Sequence, residues 1–267
     1  MTISGSRATE NPCPKPPHYQ ELLDSTDWAS LATPFGRGES LSVALVRLLD
    51  PSPSVRAAAA KDALDAVTHQ NTIYEATVPV ALYIAAILNH PATAAGEQGH
   101  DANVQSRHPT RERLLDWLGY TAYDADDERV AMGERHCGEG FLDACPDVRA
   151  FRDLRPAIYF AVQPFLTDNN AKVRDAALVA AIPLIEHHAL TEHRNDLINH
   201  ARRLLGTSTD RYKRDRALDA LKAWGHDTTA LERADDIAAR ELHARSADHD
   251  WWWANNGTGA DADDPPF

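Results

Sequence analysis

LLDPSPSVRAAAAKDAL, residues 48–64, has the layout of a joint between two helices. Two leucines close an apolar helix, a DPSP turn follows at 50–53, and Val55 begins the next helix at once. The same layout returns at residues 166–185 (LTDNNAKVRDAALVAAIPLI) and, more loosely, at residues 205–224 (LGTSTDRYKRDRALDALKAW). A chain that repeats this joint is predicted to consist of stacked pairs of helices.

The joints recur at a regular spacing. Arg56 and Arg174 hold the same place in the first two joints and are 118 residues apart, close to three times 39, and Arg214 follows 40 residues later. A helical pair of about 40 residues therefore repeats, with two irregular copies expected in 91–147. Because one pair cannot bury its apolar stripe alone, successive pairs must stack. The prediction is an all-α fold, an alpha-alpha superhelix (solenoid) of about five to six irregular helical pairs.

Composition shifts divide the chain into three parts. Residues 1–27 contain four prolines among polar residues and are predicted to form a flexible N-terminal arm. The solenoid is expected at 28–247, beginning near Trp28. Residues 248–267 form a Trp-containing acidic tail, rich in Gly, Asp and Pro after Ala254, which is predicted to be mostly disordered.

Acidity is the main compositional signal. The formal net charge is -13, and most of it belongs to the predicted folded part. A surface of this sign repels phosphate backbones, so no nucleic-acid partner is expected, and it favours a basic protein partner. The same acidity also serves solubility, so both interpretations stay open.

Cysteine usage and hydropathy indicate the compartment. Cys13, Cys137 and Cys145 are an odd number in a chain of this size and do not form a disulfide framework pattern. The N-terminus lacks the apolar run of a secretory signal, and the longest apolar run, 78–88, is too short to span a bilayer. A cytoplasmic protein without a membrane segment is expected.

The joints resemble those of HEAT repeats, a class of alpha-solenoids. The resemblance is carried by the pattern D-x4-V-R at Asp50 to Arg56 and at Asp168 to Arg174. It implies that these four residues, with Arg214, link neighbouring repeats in a polar ladder, and that prolines kink some first helices. The third joint departs from the pattern, since Ser208 and Lys213 replace the aspartate and the valine, so its ladder contact is in doubt.

A narrower resemblance covers residues 28–88. Their HQNTIY link at 69–74, followed by a proline-containing helix, is similar to a group of actinobacterial HEAT-repeat proteins of unassigned role. Some HEAT-like proteins in such bacteria are thought to act as immunity partners of secreted toxins. The resemblance as a whole spans roughly 28–225 and implies a fold more strongly than a function.

Catalytic and metal-binding patterns are weak in this sequence. It contains no Gly-rich phosphate loop, no G-x-S-x-G and no H-E-x-x-H. His136, Cys137 and Cys145 do not have a usual zinc-ligand spacing, and free thiols are the simpler interpretation. We therefore expect no enzyme activity, no cofactor and no metal.

The leading hypothesis is a non-enzymatic scaffold that binds a macromolecule, possibly as a toxin-neutralising immunity protein, through an acidic concave face lined by the second helices. Trp251 to Trp253 are either an end cap or a hot spot for a partner. The alternatives are a HEAT-like enzyme, either DNA glycosylase-like or bilin lyase-like with Cys137 or Cys145 reactive, and a self-assembling structural protein. The candidate partner-binding residues are Asp62, Asp65, His69, Asp175, Glu186, His187, Asp215, Asp219, Lys222, Trp251, Trp252 and Trp253.

Overall fold

A computed structural model describes residues 15–94 and 109–242, and these residues form an all-α fold, as predicted. A single short hairpin of β1 (Ala32–Thr33) and β2 (Gly36–Arg37) is the one sheet in this part of the chain. In chain order the helices are α1 (Tyr19–Ser25), α2 (Leu41–Arg47), α3 (Pro53–Asp65), α4 (Thr77–Ile87), α5 (Pro91–Ala94), α6 (Thr110–Tyr123), α7 (Asp127–Cys137), α8 (Phe141–Ala144), α9 (Pro146–Asp153), α10 (Arg155–Val162), α11 (Ala171–Leu184), α12 (Arg194–Thr207), α13 (Arg211–Ala223) and α14 (234–242).

The chain divides into two compact units, residues 1–200 and 201–267. In the first unit α2 packs on α3, α4 packs on α10, and α10 packs on α11. Helix α6 packs along α11, and it also contacts α3 and α4. This packing of helices on helices, without a sheet layer, is the layout that a helical repeat predicts.

Helices α6 and α11 pack closely together in the first unit. Gly119 and Ala180 are each the tenth residue of their helix, and a Cβ on Gly119 would lie 3.2 Å from the Ala180 Cα. Because Arg111 at the start of α6 also lies 3.7 Å from Asp168 just before α11, the two helices run in the same direction. Small residues at the crossing point allow the two backbones to come this close.

The first two joints have the same geometry. The Asp50 carboxylate accepts the Ser52 N–H at 2.8 Å, and the Asp168 carboxylate accepts the Asn170 N–H at 2.8 Å. The Arg56 Nη1 donates to the Asp50 and Pro51 carbonyls at 2.7 and 3.0 Å, and the Arg174 Nη1 donates to the two corresponding carbonyls at the same distances. The arginine thus closes the turn that the aspartate opens.

The start of α6 connects these two joints. The Arg56 Nε donates to the Thr110 Oγ1 at 3.3 Å, and the Arg111 guanidinium lies 3.7 Å from the Asp168 carboxylate. Arg111 also stacks over the Phe165 ring, 4.6 Å from its centroid. Two consecutive residues of α6 thus reach one joint each.

The third joint is held differently. Ser208 replaces the aspartate, and the Arg214 Nη1 reaches the Ser208 carbonyl only at 3.4 Å. Its guanidinium instead makes a bidentate pair with Asp236 of α14, at 2.5 and 3.0 Å, and both side chains are buried. Arg214 therefore ties α13 to α14 within the second unit.

Three segments differ from the sequence-based expectations. Helix α1 lies inside the segment 1–27 and packs on α4, because Leu22 is buried and Tyr19 packs edge-on against Tyr83. The region expected to hold two irregular repeats contains α6 followed by the short helices α7, α8 and α9. The apolar spacing of the sequence predicts a final helix at about 228–242, whereas helix α14 begins at 234, since the Asp227 carboxylate holds 227–229 in a turn.

Several predictions fall outside the described residues. They include the structure of 1–14 and of the tail 248–267, with Trp251 to Trp253 and their role as cap or hot spot. Within the residues that the structure does describe, no helix is both long enough and apolar enough to cross a membrane.

Candidate functional site

The exposed face of α3 carries the candidate partner-binding residues Asp62 and Asp65, and a third candidate, His69, follows four residues after the helix ends. Ala59, Ala63 and Leu64 of this helix are buried, whereas Asp62, Asp65 and His69 are exposed. Lys61 pairs with Asp65 at 2.7 Å, and both side chains remain largely in solvent. Asp62 and Asp65 are separated by three residues and therefore lie on one face, as the helical period requires. The acidic row is solvent-facing rather than part of the core.

A tight turn follows this row at the end of α3. The His69 carbonyl accepts the Thr72 N–H at 3.1 Å, and the two residues between them, Gln70 and Asn71, have φ values of 47° and 55°. Left-handed backbone is uncommon for residues other than glycine and is particularly unusual for Gln. Such positions tend to cluster at functional sites, where surrounding contacts hold the strain.

The β1–β2 hairpin is fastened beside this turn. The Ala32 N–H donates to the Glu75 carboxylate at 3.0 Å, and the Ala76 N–H donates to the Ala32 carbonyl at 3.1 Å. The hairpin tip presents Phe35 with 73% of its surface exposed. Its ring lies 5.7 Å from the His69 ring in an edge-to-face arrangement. We call Phe35, Asp62, Asp65 and His69 the Phe35 surface.

Three members of this surface are predicted from the sequence, whereas the aromatic one is missed. The TPFG segment at 33–36 has the composition of a tight turn, and an aromatic residue inside a turn was the available signal. The Phe35 ring contacts His69, which follows Asp62 and Asp65 along the chain, and an aromatic core with a polar rim is a common composition of protein-binding surfaces.

The candidates on α11 and just after it serve the fold. Asp175 is half-buried and is not without a partner. The Glu186 carboxylate accepts the Asp127 N–H at 2.9 Å and lies 3.3 Å from the Arg155 guanidinium. His187 accepts the Ala189 N–H at 3.2 Å, as a cap. Glu186 and His187 therefore fasten local structure, which argues against their proposed role as partner contacts.

Arg155 is the buried centre of this cluster, and sequence spacing did not reveal it. Its side chain is 1% exposed and donates to the Ala125 carbonyl, while Asp127 lies at 3.7 Å. Its Nε has no hydrogen-bond partner among the described residues. Burial raises the pKa of Glu186 to about 7, although the Asp127 N–H and Arg155 oppose that shift.

A pH dependence of stability follows from the raised pKa of Glu186. An acid with a folded pKa of about 7 and an ordinary value of 4.5 loses its favourable contribution as pH rises through that window. We expect the thermal midpoint of the wild type to fall relative to Glu186→Gln between pH 4.5 and 7. The free energy of unfolding of the wild type should fall by about 1–2 kcal/mol relative to that of the variant, allowing for solvent screening of a partly exposed side chain. Circular dichroism melts of both proteins across this range measure it, and a constant difference would contradict the assignment.

The candidates on α13 lie in the second unit, where they line a cleft of about 300 Å³. Asp215 and Asp219 lie on one side, with Asp236 and Arg240 on the other. Lys222 is 2.9 Å from Glu232, which also pairs with Arg240 at 2.7 Å. These hydrogen bonds from Lys222 and Arg240 lower the pKa of Glu232 to about 2. Lys222 and Arg240 of this cleft are therefore already paired within the unit.

The cysteines of the enzyme alternative lie in the segment of helices α7 to α9. Cys137 is exposed at the end of α7, and Cys145 is half-buried between α8 and α9. Neither lines the cleft on α13. Among residues 15–94 and 109–242, no group of three or more His, Cys, Asp or Glu side chains is arranged to hold a metal ion.

Comparison with known proteins supports the repeat assignment. Residues 46–59, which contain the first joint, match the family described as HEAT repeat associated with sister chromatid cohesion. The chain has no significant match among the curated proteins or among the solved structures. The matched residues include Asp50 and Arg56, whose contacts recur at Asp168 and Arg174. Together the match and the duplicated joint show that the chain contains HEAT-like helical repeats.

Proposed function

We propose that this chain is a non-enzymatic, cytoplasmic scaffold that binds a basic protein through the Phe35 surface. The observation that carries the proposal is the exposed Phe35 ring, packed on His69 at the end of the acidic row of α3. Removing an exposed ring of this size from water lowers the free energy, and a partner that covers the ring provides that stabilisation. A secreted toxin neutralised by an immunity protein is one partner class of suitable charge.

The rigidity of the site supports this role. Phe35 lies on a two-residue turn between short strands, and Glu75 and Ala76 hold the hairpin against the end of α3. A pre-organised aromatic side chain loses little conformational freedom on binding. Asp62 and Asp65 would steer a basic partner towards the ring and pair with its cations at the rim.

Affinity capture from the organism that encodes the protein tests the proposal. The baits are the wild type, Phe35→Ala, and the double variant Asp62→Lys with Asp65→Lys. We expect the wild type to enrich a basic protein, and each variant to lose it by roughly tenfold or more, as for a hot-spot residue. Mass spectrometry of the eluates gives the partner and its enrichment.

Glu134→Lys is the matched control, because Glu134 is an exposed acid on α7, outside the Phe35 surface. It should capture the same protein as the wild type. Enrichment of a protein that binds all baits equally would contradict the proposal, and so would the absence of any protein specific to the wild type.

A further inference from the structure

Helix α2 leaves an apolar strip uncovered. Leu41, Ala44 and Leu45 of this helix are buried, whereas Val43 and Val46 are 62% and 54% exposed. The outer helices of a repeat protein normally present a polar face to solvent. A cleft of about 350 Å³ opens beside Val46, and both apolar residues such as Leu23 and Leu49 and polar ones such as Gln20 line it. Two exposed valines on one helix face form a surface that is stabilised when covered.

Charges of opposite sign lie at the two ends of this strip. Glu39 precedes the first turn of α2, and Arg47 is its last residue. Both are exposed, and neither has an ion-pair partner among the described residues. Glu39 and Arg47 are each four residues from Val43. Two opposite charges therefore lie at equal sequence distances on either side of Val43.

This arrangement complements itself. If two copies of α2 pack antiparallel about a two-fold axis at Val43, each Glu39 faces the Arg47 of the other copy. Val46 of one copy then packs beside Val43 of the other, since residues three apart share a helix face. The antiparallel orientation also sets the helix dipoles head to tail.

We propose that this strip, Glu39, Val43, Val46 and Arg47, is the interface of a homodimer. A seven-residue helix gives a small interface, below about 1,200 Å², so the dimer is weak and transient. The overall charge of -13 on each copy opposes association, which also favours a weak dimer. The strip does not include the Phe35 surface, so this inference is independent of the proposed function.

Sedimentation equilibrium of the full chain tests the dimer, at concentrations from about 10 µM to about 1 mM, which bracket weak association. The wild type should shift from monomer towards dimer over this range, and Val43→Asp should remain monomeric. Glu39→Arg and Arg47→Glu should each weaken association roughly tenfold, because each places like charges together. The double variant with both reversals should return to within about threefold of the wild type, because it restores both pairs.

The charge swap distinguishes this dimer from non-specific association through exposed apolar side chains. Arg135→Glu, an exposed reversal on α7, should leave association unchanged, and circular dichroism should show unaltered helix content in every variant. A wild type that stays monomeric throughout would overturn the proposal. A double reversal that associates more weakly than both single variants would overturn it as well, since it would place the charges outside a self-complementary interface.

Discussion

Replacing Arg214 with Met is expected to unfold the second unit or to destabilise it by about 3–5 kcal/mol, the usual cost of leaving a buried charge without its partner. Asp236 is 5% exposed, and among the described residues its carboxylate would keep only the Arg233 N–H as a close donor. Arg214 also donates to the Leu205 and Leu231 carbonyls, so its loss removes one donor from each, although the Leu205 carbonyl keeps a donor in Arg233.

Urea denaturation followed by circular dichroism, with hydrogen exchange of the α13 amides, measures this effect. Arg211→Met is the control, because Arg211 on the same helix is exposed and lies 3.9 Å from Asp215. Its loss should cost under about 0.5 kcal/mol. A second variant, Arg214→Met with Asp236→Leu, should recover much of the lost stability, since no buried charge then remains at this pair. Equal stability of Arg214→Met and the wild type would show that the pair does not hold α14.

Arg56→Met is expected to destabilise the first unit by roughly 3 kcal/mol, through two unsatisfied turn carbonyls and the lost Thr110 contact. Arg56 is 1% exposed and fully enclosed. Arg174→Met removes the two equivalent contacts to the Asp168 and Asn169 carbonyls. The Arg174 side chain is only half-buried, and its Nε has no partner in the described residues. It should therefore cost less, roughly 1–2 kcal/mol.

Comparing the stabilities of these two variants isolates the additional stabilisation that the Arg56 contacts give to the first joint. Their denaturation midpoints, measured under the same conditions, should rank as wild type, Arg174→Met and Arg56→Met, from most to least stable. Thr110→Val tests the extra contact and should account for about 1 kcal/mol of the difference. If Arg174→Met were the less stable variant, the link through α6 would not stabilise the first joint.

The repeat was predictable because its signals are local. Asp50 and Arg56 are six residues apart, and Asp168 and Arg174 repeat that spacing, so both joints appear in the sequence as one short pattern. The buried stripe of α3 follows from the helical spacing of its apolar residues in the sequence. Apolar spacing also predicts helices at 192–205 and 212–224, close to the observed bounds of α12 and α13.

The missed features depend on contacts between distant segments. Arg155 meets Ala125 and Glu186, which are about 30 residues away on either side, and no spacing rule connects them. Thr110 and Arg111 were unremarkable in sequence, yet each reaches a different joint. Glu186 was assigned to the concave partner-binding face by helical spacing alone. Its actual role became visible only once Asp127 was placed beside it.

The Phe35 surface was predictable only in part, for a similar reason. Asp62, Asp65 and His69 follow from the face opposite the buried stripe of α3. Phe35 joins them because Glu75 fastens the hairpin 43 residues away in sequence. Two strands of two residues each are too short to produce an alternating pattern.

The association rate of the captured basic protein is the most direct test of the proposed binding surface. Stopped-flow measurements compare the wild type with the Asp62→Lys, Asp65→Lys double variant at low and high salt. We predict that the wild-type rate falls about tenfold or more as salt screens the acidic row, while the variant is slow and nearly independent of salt. A wild-type rate that neither depends on salt nor differs from that of the variant would contradict binding at the Phe35 surface.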